Sequence, residues 1–119
     1  MDANQAAETI RAALLTAMDA EEFDVTVGDA GEIDISTDDW TLHFDNWPDG
    51  PGWLAIDEEP EDPAAYAEAR RAVMSADVER ALAAADRDLN GTLSRALAAS
   101  DDPFTLDLIE AMRSAAAGD

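Results

Sequence analysis

The spacing of apolar residues changes twice along the chain, and each change marks a change of secondary structure. From Asp2 to Ala20 the apolar positions Ala7, Ile10, Leu14 and Met18 recur at helical spacing, which predicts an amphipathic helix. Asp2 with Gln5 three residues later is the pattern of a capping box at its start. From Phe23 the period falls to two. Phe23, Val25 and Val27, then Ile33 and Ile35, then Trp40, Leu42 and Phe44 alternate with polar residues, as half-buried strands do. The Gly- and Asp-rich stretches GDAGE and STDD between them are short enough to make both connections hairpins. After the loop NWPDGPG a fourth strand is expected at Trp53 to Asp57.

The second change falls at DEEPEDP, Asp57 to Pro63. Asp62 before Pro63 reads as a helix cap followed by proline at the first helical position, and Tyr66, Ala69 and Val73 then share one face. Ser75 is placed to cap a continuation carrying Val78 and Leu82, which DRDLNG interrupts. A short helix from about Thr92 to Ser100 follows, and Asp102 with Pro103 repeats the cap signal before Phe104, Leu108, Ile109 and Met112. The expected fold is α+β: an N-terminal helix, a four-stranded antiparallel meander and three to four C-terminal helices on one face, in one domain over residues 1–119.

If the apolar strand residues face inward, Asp24 and Thr26, Glu32 and Asp34, and Thr41, His43 and Asp45 face outward. Positions i and i+2 on a strand lie about 6.8 Å apart and neighbouring strands about 4.8 Å apart, so the outer carboxylates would form a lattice of negative charge. The plain alternative is that outward positions are simply solvated. In DNWPDGPGW, Trp47 and Trp53 flank two turns. They would serve either as aromatic anchors inside an acidic rim or, folded back over the sheet, as the end of the core.

Charge sharpens this picture. The chain has 28 Asp and Glu against 7 basic residues, a formal net charge of −21, where a small domain usually carries a magnitude of roughly 2 to 8. Such self-repulsion has to be screened by salt or serve a purpose such as attracting a cationic partner. All 7 basic residues are arginine and 26 residues are alanine, a composition that suits a GC-rich coding sequence or life in high salt. Direct binding to nucleic acid or an anionic membrane is disfavoured by like charge. Cysteine is absent, which excludes disulfides and thiolate chemistry. No apolar run reaches membrane-spanning length, and MDANQAAETI lacks the basic start of a signal peptide, so the expectation is cytoplasmic.

Candidate chemistry is sparse. Residues 86–97, DRDLNGTLSRAL, follow the pattern of an EF-hand calcium loop at Asp86, Asp88, Asn90, Thr92 (through its carbonyl) and Ser94, with Gly91 at the turn. Position 12, where that motif carries a bidentate glutamate, is Leu97. The alternative is that Asn90 and Gly91 end one helix and Thr92 caps the next. His43 is the only histidine, so no histidine-based zinc site can form. No serine stands in a nucleophile elbow, no glycine-rich phosphate loop occurs, and no cofactor is implied.

The expectation is a non-enzymatic interaction protein. In size and charge the chain resembles the acidic DNA-mimic inhibitors made by phages and mobile elements against restriction, CRISPR or transcription machinery, and it shares the logic of immunity proteins. That resemblance implies binding to, and inhibition of, a basic nucleic-acid-binding protein through a carboxylate surface. The expected contact residues are Asp24, Glu32, Asp34, Asp45, Trp47, Trp53, Glu58 and Glu59. Two alternatives stand beside it: a halophilic domain whose acidity is adaptation to salt, and a weak calcium-binding module built on residues 86–97. Distribution separates the first two, because a mimic concentrates its carboxylates on one face and a halophile spreads them.

Overall fold

The computed structural model describes residues 2–57 and 60–117. Helix α1 spans Ala3–Leu14, and its start is the expected capping box: the Asp2 carboxylate accepts from the Gln5 backbone at 2.8 Å while the Gln5 side chain accepts from the Asp2 backbone. The helix stops sooner than its apolar spacing predicts. Ala17 N–H donates to the Leu14 carbonyl at 2.9 Å, and the Thr16 hydroxyl donates to the Ala13 carbonyl at 2.7 Å. Such tightened bonds close a last turn rather than extend it.

Strands β1 (Asp24–Val27), β2 (Ile33–Ser36), β3 (Trp40–Phe44) and β4 (Gly52–Ile56) form one antiparallel sheet in sequential order. The β1–β2 hairpin turns through Gly31, whose φ of +82° favours glycine. The Thr37 hydroxyl holds the β2–β3 turn by accepting from the Asp39 and Trp40 N–H groups. Gly50 in the β3–β4 loop has no room for a side chain, since a Cβ there would lie 2.0 Å from the Asp45 carbonyl oxygen.

Burial alternates along the sheet with period two. Ile33, Ile35, Trp40, Leu42, Phe44, Leu54 and Ile56 are buried, and their sequence neighbours on these strands, Gly52 aside, are not. All helices lie on the buried face. A 3-10 turn at Pro63–Ala65 leads into α2 (Tyr66–Val73), followed by α3 (Ala76–Asp88), α4 (Thr92–Ala98) and α5 (Pro103–Ala117). Asp62 therefore caps a 3-10 turn, accepting from Ala64 N–H at 3.0 Å, and not the α-helix itself. Ser75 caps α3 as expected. Asp102 caps α5 through the Thr105 N–H at 3.1 Å.

One charged side chain lies inside the helical layer. Arg70 of α2 is 2% exposed, donates to Glu79 of α3 at 2.6 Å and forks to Asp107 of α5. A guanidinium so far from water needs both carboxylates, and the three-way pairing fixes how α2, α3 and α5 meet. Among the described residues no helix is long and apolar enough to cross a membrane.

Candidate functional site

The helices leave the other face of the sheet open. Strand register sets its side chains in two cross-strand rows: Asp24, Ser36, Thr41 and Ala55, and Thr26, Asp34, His43 and Trp53. Asp45 lies just beyond β3 and on the same side as His43. Glu32 lies just before β2, half-buried, with its carboxylate over Gly28.

The centre of the second row is a tight cluster. His43 Nδ1 meets Asp34 Oδ1 at 2.6 Å and His43 Nε2 meets Asp45 Oδ1 at 2.8 Å. With a carboxylate on each nitrogen, both can be donors only in the imidazolium form. Burial of the ring opposes that charge, but the hydrogen bonds and negative charges of Asp34 and Asp45 outweigh it and hold the pKa above the ordinary 6.5. The Trp53 indole lies over the imidazole, ring centroids 4.5 Å apart and planes tilted by 39°, which places a cation against an aromatic face. Trp53 is itself 36% exposed. With both nitrogens engaged, His43 offers neither a free lone pair for a metal nor an unoccupied base.

This geometry changes the expected lattice of carboxylates. Asp34 and Asp45 share one cation instead of standing as free charges, while Asp24 is exposed and has no ion-pair partner among the described residues. The two tryptophans also part company. Trp47 is buried and packs edge-on against Phe44, centroids 5.4 Å apart, so it closes the end of the core and is not available as a surface anchor; Trp53 is. Glu58 and Glu59 lie outside the described residues.

The loop with calcium-site spacing takes a different form. Asp86 and Asp88 both remain within α3, where residues two apart point to different sides of the helix and cannot converge on one ion. The Asp86 carboxylate accepts instead from the Ser94 N–H at 3.0 Å and from the Ser94 hydroxyl, supplying an acceptor for the first turn of α4. Asn90 and Gly91 take left-handed conformations at φ 58° and 79°, which ends α3 as the alternative reading expects. Thr92 is not the cap of α4. Gly91 holds that position, and the Thr92 hydroxyl donates back to Leu89 at 2.6 Å. Among the described residues no group of three or more His, Cys, Asp or Glu is placed to hold a metal.

A second concentration of charge stands where α1 runs into β1 and β2 turns into β3. There Asp19, Glu21, Glu22, Asp38 and Asp39 line a shallow cleft of about 430 Å³. It borders the Asp24 end of the open face, since Asp24 pairs with Ser36 one residue before that turn. Compared with known proteins, the chain matches no family model, no curated protein and no solved structure.

Proposed function

We propose that this protein docks on a basic, nucleic-acid-binding protein through the open face of its sheet and inhibits it by occupying the surface that would take phosphates. The observation that carries the reading is that open face. Trp53 supplies a half-exposed aromatic plane at one end of a row, Asp24 a free carboxylate at the other side of the sheet, and Glu32 and the His43 cluster lie between. Three strand spacings, about 14 Å, separate β1 from β4, wide enough for a groove-lining helix or loop of a partner. Arginine suits both ends, stacking on indole and pairing with carboxylate. The net charge of −21 would steer such a partner at long range. In this reading the protein works in the cytoplasm and needs no catalysis or cofactor.

The test is capture from lysate at fixed physiological salt by the wild-type chain and by a Trp53→Ala, Asp24→Arg double variant, followed by elution with duplex DNA. The expected outcome is a basic protein that DNA displaces and that the double variant, folded as judged by circular dichroism, fails to retain. Retention by the variant, or indifference to DNA, defeats the proposal.

A second reading has its own support. Exposed carboxylates are spread widely over the fold, with Glu8 on α1, Asp29, Asp38 and Asp49 in the hairpin turns, Glu68 on α2, Asp77 on α3 and Glu110 on α5. That spread favours adaptation to concentrated salt, with the charge then carrying no functional message.

A further inference from the structure

We infer that the free edge of β1 takes up an extended segment of the basic partner as a fifth strand of the sheet, an inference that rests on the docking function proposed above. In an antiparallel ladder each residue directs its backbone groups to one neighbour only. Gly28 N–H donates to the Glu32 carbonyl at 2.8 Å, and in the same register Thr26 and Asp24 make the hydrogen-bonded pairs with Asp34 and Ser36. The N–H and C=O of Val25 and Val27 therefore point away from β2. Among the described residues no hydrogen bond from outside the sheet reaches them.

The other edge is capped at its middle by a helix. Leu54 of β4 directs its N–H outward in the same way, and there the Thr105 hydroxyl of α5 accepts it at 2.8 Å, with α4 and α5 packed alongside. An unpaired edge is a template for another chain; α1 packs against β1, but among the described residues no side chain caps its outward backbone groups as Thr105 caps Leu54. Burial marks the same place. The inward residues of β2, β3 and β4 are buried, whereas Val25 and Val27 of β1 are only half-buried against the core. One more strand would complete the inner layer.

Charge selects the occupant. Glu21, Glu22 and Asp24 lead into the edge and Asp29 follows it, all exposed. A second copy pairing β1 with β1 would crowd both sets of carboxylates along one seam with no cation between them, and like charges across a sheet are destabilising. A segment alternating basic and apolar residues fits instead. Its backbone bonds Val25 and Val27, its apolar side chains continue the inner layer, and its arginines lie beside Asp24 on the open face. Strand addition of this kind draws affinity from main-chain bonds and selectivity from alternate side chains.

The probe is a short synthetic peptide alternating Arg and Val, compared at physiological salt with the same peptide N-methylated at alternate residues. Both have the same charge and side chains, but the methylated form cannot donate along one edge. Amide hydrogen exchange read by NMR should show Val25 and Val27 protected by the plain peptide. Affinity should fall roughly tenfold on methylation, the scale of losing one or two backbone bonds. A Val25→Pro variant, tolerated where an edge N–H faces solvent, should weaken the plain peptide by a similar factor. Equal binding of both peptides with Val25 and Val27 unprotected overturns the fifth strand and leaves charge-driven docking intact. Absence of binding by either peptide overturns both. Protection of the two amides without peptide, together with a dimer in sedimentation, would assign the edge to self-pairing and also overturn the inference.

Discussion

His43 is the only side chain in the molecule whose ordinary pKa lies near neutrality, and the structure gives it two carboxylates. Its pKa is raised in the folded state and returns to about 6.5 on unfolding. The sign follows from linkage: the imidazolium contributes its full stabilisation below pH 6.5, and that contribution is lost as pH rises through the raised folded value. The wild-type chain should therefore exceed a His43→Gln variant in stability by about 1 kcal/mol near pH 6, the partly exposed carboxylates being weakened by water. The gap should narrow toward pH 9. Thermal melts of both proteins across that range are the check: a pH-independent gap would mean that folding leaves the pKa of His43 unchanged, and a gap that widens with pH would mean that the ring is held neutral. Alternation in the sequence sufficed to put Asp34, His43 and Asp45 on one face, since period two assigns faces without knowledge of pairing. It could not show that the histidine bridges the two acids or stacks on Trp53, because those contacts depend on strand register. Trp47 stands in a loop where no period applies, and only the folded chain distinguishes its buried indole from that of Trp53.

At the scale of elements, local signals and tertiary contacts divide the work. The capping box of α1, the Ser75 and Asp102 caps and the four alternating strands were legible because each depends on residues a few positions apart. The end of α1 and the form of residues 86–97 were not, since apolar spacing runs on past Leu14 and Asp86 finds its partner, Ser94, across a helix junction. Nor did any pattern mark Arg70, whose partner Asp107 lies 37 residues away. The contact between sheet and last helix is of the same long-range kind. Thr105 is buried, its hydroxyl accepting from Leu54 N–H and donating to Asp102 at 2.9 Å. One small group thus caps the middle of the β4 edge and ties it to the cap of α5. Thr105→Val keeps the shape and removes the oxygen, leaving a buried N–H without an acceptor, so it should cost about 1–3 kcal/mol. Denaturant unfolding measures this directly, and the Leu54 amide should exchange faster in the variant; a loss below a few tenths of a kcal/mol would mean that water reaches this edge.

Across the whole molecule, 21 net negative charges sit on a body of 37 × 28 × 28 Å. At 0.1 M salt the screening length is about 10 Å, and at 1 M about 3 Å, so carboxylates such as Glu21, Glu22, Asp38 and Asp39 repel one another in dilute buffer and hardly at all in concentrated salt. Seven arginines cannot offset this, and one of them, Arg70, is committed to the interior. The melting temperature should therefore rise between 0.1 M and 1 M KCl, by about 5 °C for each kcal/mol of repulsion relieved. The state in dilute buffer separates the two readings of the charge. A chain that unfolds at 0.1 M and folds only near 1 M has a surface built for salt, and the wide spread of acids over its helices and turns is then sufficient explanation. A chain that unfolds cooperatively from a native state at 0.1 M bears its repulsion without help, and the repulsion is the kind of cost that a cationic partner removes on binding. Circular dichroism melts in the two buffers decide between them, because relief by salt and relief by a partner draw on the same carboxylates.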